Sequence, residues 1–328
     1  MKDNMIRWGM IGCGNVTEKK SAPAFNKIPH SRLVAVGSRT PEKAREYAKR
    51  NGIPAWYGDP MDVISDPEVD IVYVATPPGS HPEYALRTLG EGKPVYIEKP
   101  MARTWEECER INRKAAEKGI PVFVAYYRRA LEYFLRVKEI IDDGKLGRVL
   151  CVHMQQYFPA RPEDHDRENP PWRVIPEISG GGYFHDVGCH ALDIVFYLLG
   201  DPTGSRGMKT NIAGIYEPED TLSAIVALPQ DVILTASWSF VVPDALAKDL
   251  VEITGEKGRL RFSVFGFDPI VHFDGKQEVT HTIGQPEHIQ MPLISTIVSQ
   301  LRGTGSCPST GRTAAVTSKV MDEILSGD

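Results

Sequence analysis

The sequence predicts an α/β protein of two domains: an open parallel sheet flanked by helices, then a domain of antiparallel strands and helices. Three observations carry this. The chain has 328 residues, which is about two domains at roughly 150 residues each. Its first 125 residues alternate short apolar runs with longer amphipathic stretches, the pattern of right-handed strand–helix–strand units. From about Glu132 the strands alternate apolar and polar residues between short turns, as antiparallel meanders with one packed face do.

Ile6–Ile11, Leu33–Val36, Ile71–Ala75, Val95–Ile97 and Val122–Ala125 read as strands. Their apolar residues are consecutive rather than alternating, as in strands covered on both faces. The stretch 40–51 reads as a helix capped by Thr40, with Pro41 in the first turn and Gly52 as its stop. Residues 83–89 and 104–118 follow suit, the latter with Thr104 as cap and Glu107 three residues on. After a helix at Tyr133–Asp142 come a strand at Val149–Tyr157, a polar Pro-rich loop at Pro159–Pro176 and a helix at Tyr183–Leu199. Strands are expected near 207–216, 221–228, 231–240, 248–255 and 258–264, then helices near 288–302 and 310–326. These divide the chain into domains 1–125 and 126–328.

Composition narrows the function. Hydrophobic residues at 41% and charged residues at 25% are ordinary for a globular protein. A net charge of −5 lacks the field expected of a general nucleic-acid or anionic-membrane binder. Five scattered cysteines without a CxxC pair make neither a disulfide framework nor a zinc site. The start MKDNMIRWGMIG does not read as a leader, and no uncharged apolar run approaches ~18 residues. A cytoplasmic protein with a small-molecule ligand is the expectation.

Gly12-Cys13-Gly14-Asn15-Val16-Thr17 follows the first strand and opens a helix. There the first glycine makes a tight turn, the second lets backbone approach a pyrophosphate, and the helix N-terminus faces its charge. Gly12, Gly14, Asn15 and Val16 are therefore read as dinucleotide-binding, with Thr17 replacing the usual third Gly or Ala and loosening helix–strand packing. The second strand ends Ser38-Arg39-Thr40 without a carboxylate for the ribose hydroxyls. A guanidinium and two hydroxyls there suit a 2′-phosphate, so NADP(H) is preferred and NAD(H) remains possible.

Glu98-Lys99-Pro100 follows the fourth apolar run, at the carboxyl edge where open α/β sheets bind ligands. Lys99 suits polarising a substrate oxygen or exchanging a proton; the plain alternative is a salt bridge in a turn. The second cluster is GGGYFHDVGCHALD at 180–193. Asp186 and His190 share a helix face at i, i+4, with Asp193 three residues further. Asp186 can orient His190 while the imidazole exchanges a proton with a hydroxyl; the alternative is a structural Asp–His pair. Cys189 and His190 point about 100° apart on a helix, so no metal site is expected.

Together, GCGNV, VATPPGSH at 74–81, EKP at 98–100 and GGGYFHDVGCHALD, with VAYYRR at 124–129 and PSTGRTA at 308–314, resemble the Gfo/Idh/MocA oxidoreductase family in order and spacing. The resemblance implies a Rossmann domain plus an α/β domain with a large, mostly antiparallel open sheet, and dimers or tetramers formed through that sheet. It implies hydride transfer between a nicotinamide and a carbinol or carbonyl carbon of a sugar, cyclitol or related polyol. It makes Lys99, Asp186 and His190 catalytic, lays Thr76, Pro77, His81, Glu98 and Lys99 along the cofactor, and puts Tyr126 and Arg128 beside the substrate. The loop from Tyr157 to Glu177 is expected to carry specificity, with Trp172 stacking on a sugar face and Arg161, Arg167 or Arg173 available to an acidic or phosphorylated group. The same residues also fit an ordinary solvated loop. Three alternatives are a regulatory protein that senses NADP without turnover, a glycoside hydrolase or lyase that uses bound nicotinamide transiently, and a metal-dependent hydrolase.

Overall fold

A computed structural model gives the structure of residues 4–327. Residues 1–3, where the stretch read above for a leader begins, and 328 lie outside the described residues. The chain forms two compact units, Met1–Leu131 with Pro286–Ala315, and Glu132–Gln285 with Val316–Asp328.

In the first unit six parallel strands, β1 (Ile6–Ile11), β2 (Ser31–Gly37), β3 (Ala55–Tyr57), β4 (Ile71–Val74), β5 (Val95–Ile97) and β6 (Val122–Val124), lie in the order β3-β2-β1-β4-β5-β6. Helices α1 (Ala22–Lys27), α2 (Pro41–Asn51), α3 (Pro60–Ser65), α4 (His81–Gly90) and α5 (Trp105–Lys118) connect them. The strand order reverses between β1 and β4, which is where such sheets bind ligands. Trp8, Phe25, Tyr73 and Tyr96 are fully buried, with Tyr73 stacked on Tyr96 at 4.9 Å between ring centroids. The capping read for α5 holds: Thr104 Oγ1 accepts from the Glu107 amide at 3.3 Å. Thr40 occupies the cap position of α2, but its side chain makes no cap bond.

The second unit opens with α6 (Glu132–Asp142), and carries an eight-stranded sheet. Its strands are β7 (Val149–Tyr157), β8 (Gly204–Thr210), β9 (Thr221–Ala227), β10 (Ile233–Ser239), β11 (Lys248–Gly255), β12 (Arg259–Phe262), β13 (Ile270–Phe273) and β14 (Glu278–His281), in the order β14-β13-β12-β11-β7-β10-β9-β8. β7 and β10 pair in parallel and the other neighbours antiparallel. One face is covered by α8 (Cys189–Leu199), preceded by the short α7 (Pro176–Ser179). Phe184 meets Trp238 of β10 edge-to-face there, at 4.9 Å.

Several features depart from the sequence reading, among them the strand expected near 207–216, which runs over Gly204–Thr210, and the unexpected helix α3. Strands β3, β13 and β14, of three or four residues each, are too short to show a period. The C-terminal stretch does not belong wholly to the second domain, because 286–315, carrying α9 (Met291–Leu301), packs with the first unit. Ser309 Oγ donates to the Val124 carbonyl of β6 at 2.7 Å, and Gln290 Nε2 donates to Glu98 at 2.7 Å. The last helix, α10 (Gly311–Ser326), starts in one unit and ends in the other.

Candidate active site

Gly12 sits at φ +106°, and a Cβ there would lie 2.6 Å from the Ala75 carbonyl oxygen; only glycine takes that conformation at no cost. A Cβ at Gly14 would meet nothing within 4 Å. The turn is thus closed against the sheet at its first glycine and open in front of its second, the cradle a pyrophosphate needs. Thr17 does not loosen the packing as expected. It is fully buried, its hydroxyl donates to the Gly14 carbonyl at 2.7 Å, and it starts a wide, π-type turn over Thr17–Ser21. Asn15 is exposed and Val16 half-buried at the same helix start. Burial pushes the Cys13 thiol up to about 11, so the turn holds a neutral sulfur.

At the end of β2, Ser38 is half-buried, while Arg39 and Thr40 are exposed. Ser38 Oγ accepts from the Thr40 amide at 3.2 Å. No carboxylate pairs with Arg39 among the described residues.

His81, fully buried, braces the same end of the sheet. Its Nε2 lies 2.7 Å from the Thr76 carbonyl and its Nδ1 3.0 Å from that of Pro100. Burial pushes its pKa down, opposed by those carbonyls and by Glu98. His81 is therefore a strut between the loop carrying Thr76 and Pro77, both half-buried, and the turn carrying Lys99. Buried Glu98 accepts from Tyr73 Oη at 2.6 Å as well as from Gln290. Gln290 was missed in sequence because it is 192 residues from Glu98 and no local pattern marks it. Lys99 is half-buried beside Glu98, ahead of a cis Lys99–Pro100 bond. Tyr126 and Arg128 are buried, with the Arg128 guanidinium 5.0 Å from the Tyr127 ring.

In the second unit Phe184–Gly188 forms another wide π-type turn, continued by α8. A Cβ on Gly181 would fall 2.2 Å from His185 Nδ1, and one on Gly188 2.5 Å from the Phe184 ring; two of the motif's glycines thus make room for its own aromatic rings. His190 is 4% exposed and meets the Phe265 ring at 5.8 Å, nearly perpendicular. Asp186 Oδ2 accepts from Arg173 Nε at 2.9 Å, and the Arg173 guanidinium lies 4.5 Å from the Trp172 ring. Asp193 is buried on α8, its Oδ1 accepting from Thr317 Oγ1 at 3.3 Å. Tyr157 is not brought to this cluster. Its hydroxyl bonds Ser237 Oγ at 2.8 Å, whereas the next-door positions Gln156 and Trp238 face Phe184. Alternation along a strand puts Tyr157 on the opposite, open face of the sheet. Among the described residues no three His, Cys, Asp or Glu side chains form a metal-holding group.

Residues 6–126 match the model of an oxidoreductase family with an NAD-binding Rossmann fold, and 134–261 match the GFO/IDH/MocA C-terminal domain. The chain belongs to the Gfo/Idh/MocA oxidoreductase family. Among curated relatives of the family, it is 35% identical over 321 residues to "Oxidoreductase P35" of Formosa agariphila, covering 98% of each chain. It is 29% identical over 198 residues to the scyllo-inositol 2-dehydrogenase (NAD(+)) of Bacillus subtilis, covering 60% of this chain and 55% of that protein. The fold is shared with the aldose-aldose oxidoreductase of Caulobacter crescentus, at a TM-score of 0.88, 23% identity and coverage of 98% and 97%. Gfo/Idh/MocA membership accounts for both sheets and for the order of the motifs along the chain.

Proposed function

We propose that this Gfo/Idh/MocA protein transfers a hydride between a nicotinamide dinucleotide, preferably NADP(H), and a carbinol or carbonyl carbon of a sugar, cyclitol or related polyol. One observation carries the reading. The Gly12 turn touches Ala75, His81 ties Thr76 to Pro100, and Lys99 stands next to Pro100, so a phosphate cradle and a lysine share the carboxyl edge of one sheet. Relatives named as inositol and levoglucosan dehydrogenases support the substrate class.

Gly12, Gly14, Asn15 and Val16 would hold the pyrophosphate, Arg39 with Ser38 and Thr40 the 2′-phosphate, and Thr76, Pro77 and Glu98–Lys99 the nicotinamide half. Once bound, the nicotinamide supplies the acceptor or donor of the hydride. His190 takes the proton of the substrate hydroxyl at a ring nitrogen as the C–H bond breaks and the carbonyl forms; reduction runs the same path backwards. Lys99 stabilises the oxygen as negative charge develops, and Asp186, held by Arg173, orients the imidazole or a neighbouring hydroxyl. Tyr126, Arg128, Trp172 and Arg173 are proposed as substrate contacts. We also propose that copies associate through the open face of the eight-stranded sheet, and that the protein works in the cytoplasm; among the described residues no helix is long and apolar enough to cross a membrane.

The test is steady-state kinetics at the nicotinamide absorbance band over a panel of sugars, ketosugars and inositols with both cofactors. Lys99→Ala and His190→Ala are each expected to lower kcat by about 10²–10⁴-fold. Retention of more than roughly a tenth of wild-type activity removes the assignment, and a tenfold preference for NAD(H) removes the 2′-phosphate site.

A further inference from the structure

Two arginines of the 158–176 loop converge on one carboxylate oxygen. Arg173 Nε donates to Asp186 Oδ2 at 2.9 Å, and Arg161 Nη2 stands 4.0 Å from the same atom. Each guanidinium is laid on an aromatic ring: Arg173 on Trp172 at 4.5 Å and Arg161 on Tyr183 at 4.6 Å. The rings' own supports are built in. Tyr183 Oη donates to Asp164, which is 1% exposed, and the other Asp164 oxygen accepts from the Arg161 amide at 2.8 Å. Yet the two arginine side chains keep 39% and 29% of their surface. Among the described residues, Arg173 places only its Nε–H in a hydrogen bond and the Arg161 guanidinium places none.

Such an arrangement suits a ligand rather than the fold. A loop arginine that only solvates itself keeps its rotamer freedom, whereas these two are already ordered by stacking, with most of their N–H groups outside any hydrogen bond among the described residues. Preorganised guanidinium edges match a planar oxyanion bidentately, and ordering them beforehand removes a cost of binding. A neutral polyol would leave the charge in excess of Asp186 unmet in the complex, which a site built for recognition avoids. Asp186 is the one carboxylate within 4.0 Å of either guanidinium among the described residues, so of the two positive charges one is left over, room for a single negative charge rather than two. The loop's other acids, Glu163, Asp166 and Glu168, are exposed.

We propose that Arg161 and Arg173 form a carboxylate-reading subsite, and that the substrate is a sugar acid, a uronate or an aldonate. Asp186 then has a second task, holding Arg173 by Nε so that its outer edge is presented. The identification of the ligand as a sugar rests on the hydride-transfer reading; the anion site does not.

The experiment compares D-glucuronate and D-galacturonate with D-glucose, D-galactose and their 6-phosphates, for wild type and Arg161→Gln, by initial rates with both cofactors and by calorimetric binding. Wild type is expected to favour the uronates over the neutral sugars, and Arg161→Gln to reduce that ratio of kcat/KM by about 10- to 100-fold, the scale of one charge-assisted hydrogen bond. Thermal unfolding of both proteins checks that the fold is kept. Equal use of acid and neutral sugars, or an unchanged ratio in Arg161→Gln, overturns the subsite while leaving the dehydrogenase reading standing. Preference for the 6-phosphates overturns the choice of a carboxylate. If nothing in the panel is turned over, the hydride-transfer reading fails for these sugars and calorimetry decides the subsite: uronate binding weakened at least tenfold by Arg161→Gln upholds it, and equal binding of uronate and aldose, or none of either, ends it.

Discussion

Glu219 lies in the loop between β8 and β9, with Oε1 buried and without a hydrogen-bond partner. Burial raises its pKa, against a lowering by its own backbone amide and by Lys209. A carboxyl whose folded pKa is raised binds more protons folded than unfolded. Its penalty is therefore absent below the unfolded value of about 4.3 and grows as pH rises from there through the folded value. Glu219→Gln is expected to stabilise the protein by about 1 kcal/mol at pH 7, raising Tm by roughly 2–4 °C, with the gain fading towards pH 4. Calorimetric melts at the two pH values check it; an equal Tm difference at both would exclude ionisation as the cause. The sequence showed Glu219 only as one more acid in a loop, since burial of a loop carboxylate is decided by what packs over it. Lys99, Asp186 and His190 were visible because their motifs are local. The partners that matter to them were not equally so: Arg173 is 13 residues from Asp186 and was one of three loop arginines with no feature to rank it.

Two glycines of one turn give opposite expectations at the level of the strand–helix junction. Gly12→Ala brings a Cβ to 2.6 Å from a backbone oxygen at positive φ, and is expected to cost about 1–3 kcal/mol of stability. Gly14→Ala meets no protein atom, so its urea midpoint should stay near wild type while dinucleotide affinity drops at least tenfold by fluorescence titration. Unchanged affinity in Gly14→Ala would falsify the cradle. The junction was legible because its cause is short-range: strand, tight turn, helix. What the pattern did not reveal is that the first chemical motif runs into a turn of π width, Thr17–Ser21, and the second contains one, Phe184–Gly188. Such turns often mark functional sites. They carry buried side chains, the Thr17 hydroxyl on the Gly14 carbonyl and the Phe184 ring on Gly188, which helix periodicity does not report. Strands β3, β13 and β14 escaped for a simpler reason, being too short to repeat.

For the whole molecule, the proposed association rests on the open face of the large sheet, where Met208 is 82%, Ile225 56% and Ile233 42% exposed. Large apolar side chains exposed on one face of a sheet mark interaction sites. Wild type is expected to elute as a multiple of its 36.5 kDa chain mass, and Met208→Glu with Ile225→Glu as a monomer; a monomeric wild type removes the interface. Two-domain organisation followed from length and from the change in strand pattern, but the destination of 286–315 did not, because Gln290 and Ser309 act on residues some 190 positions earlier. That segment has a consequence for how the protein can be cut and recombined. The chain leaves the first unit after Leu131, returns at Pro286 and leaves again after Ala315. Neither unit is a contiguous cassette. A graft that moved residues 1–131 alone would carry the dinucleotide motif intact but leave Glu98 without its amide donor and Val124 without its serine, so exchange between relatives has to take the tail with the head.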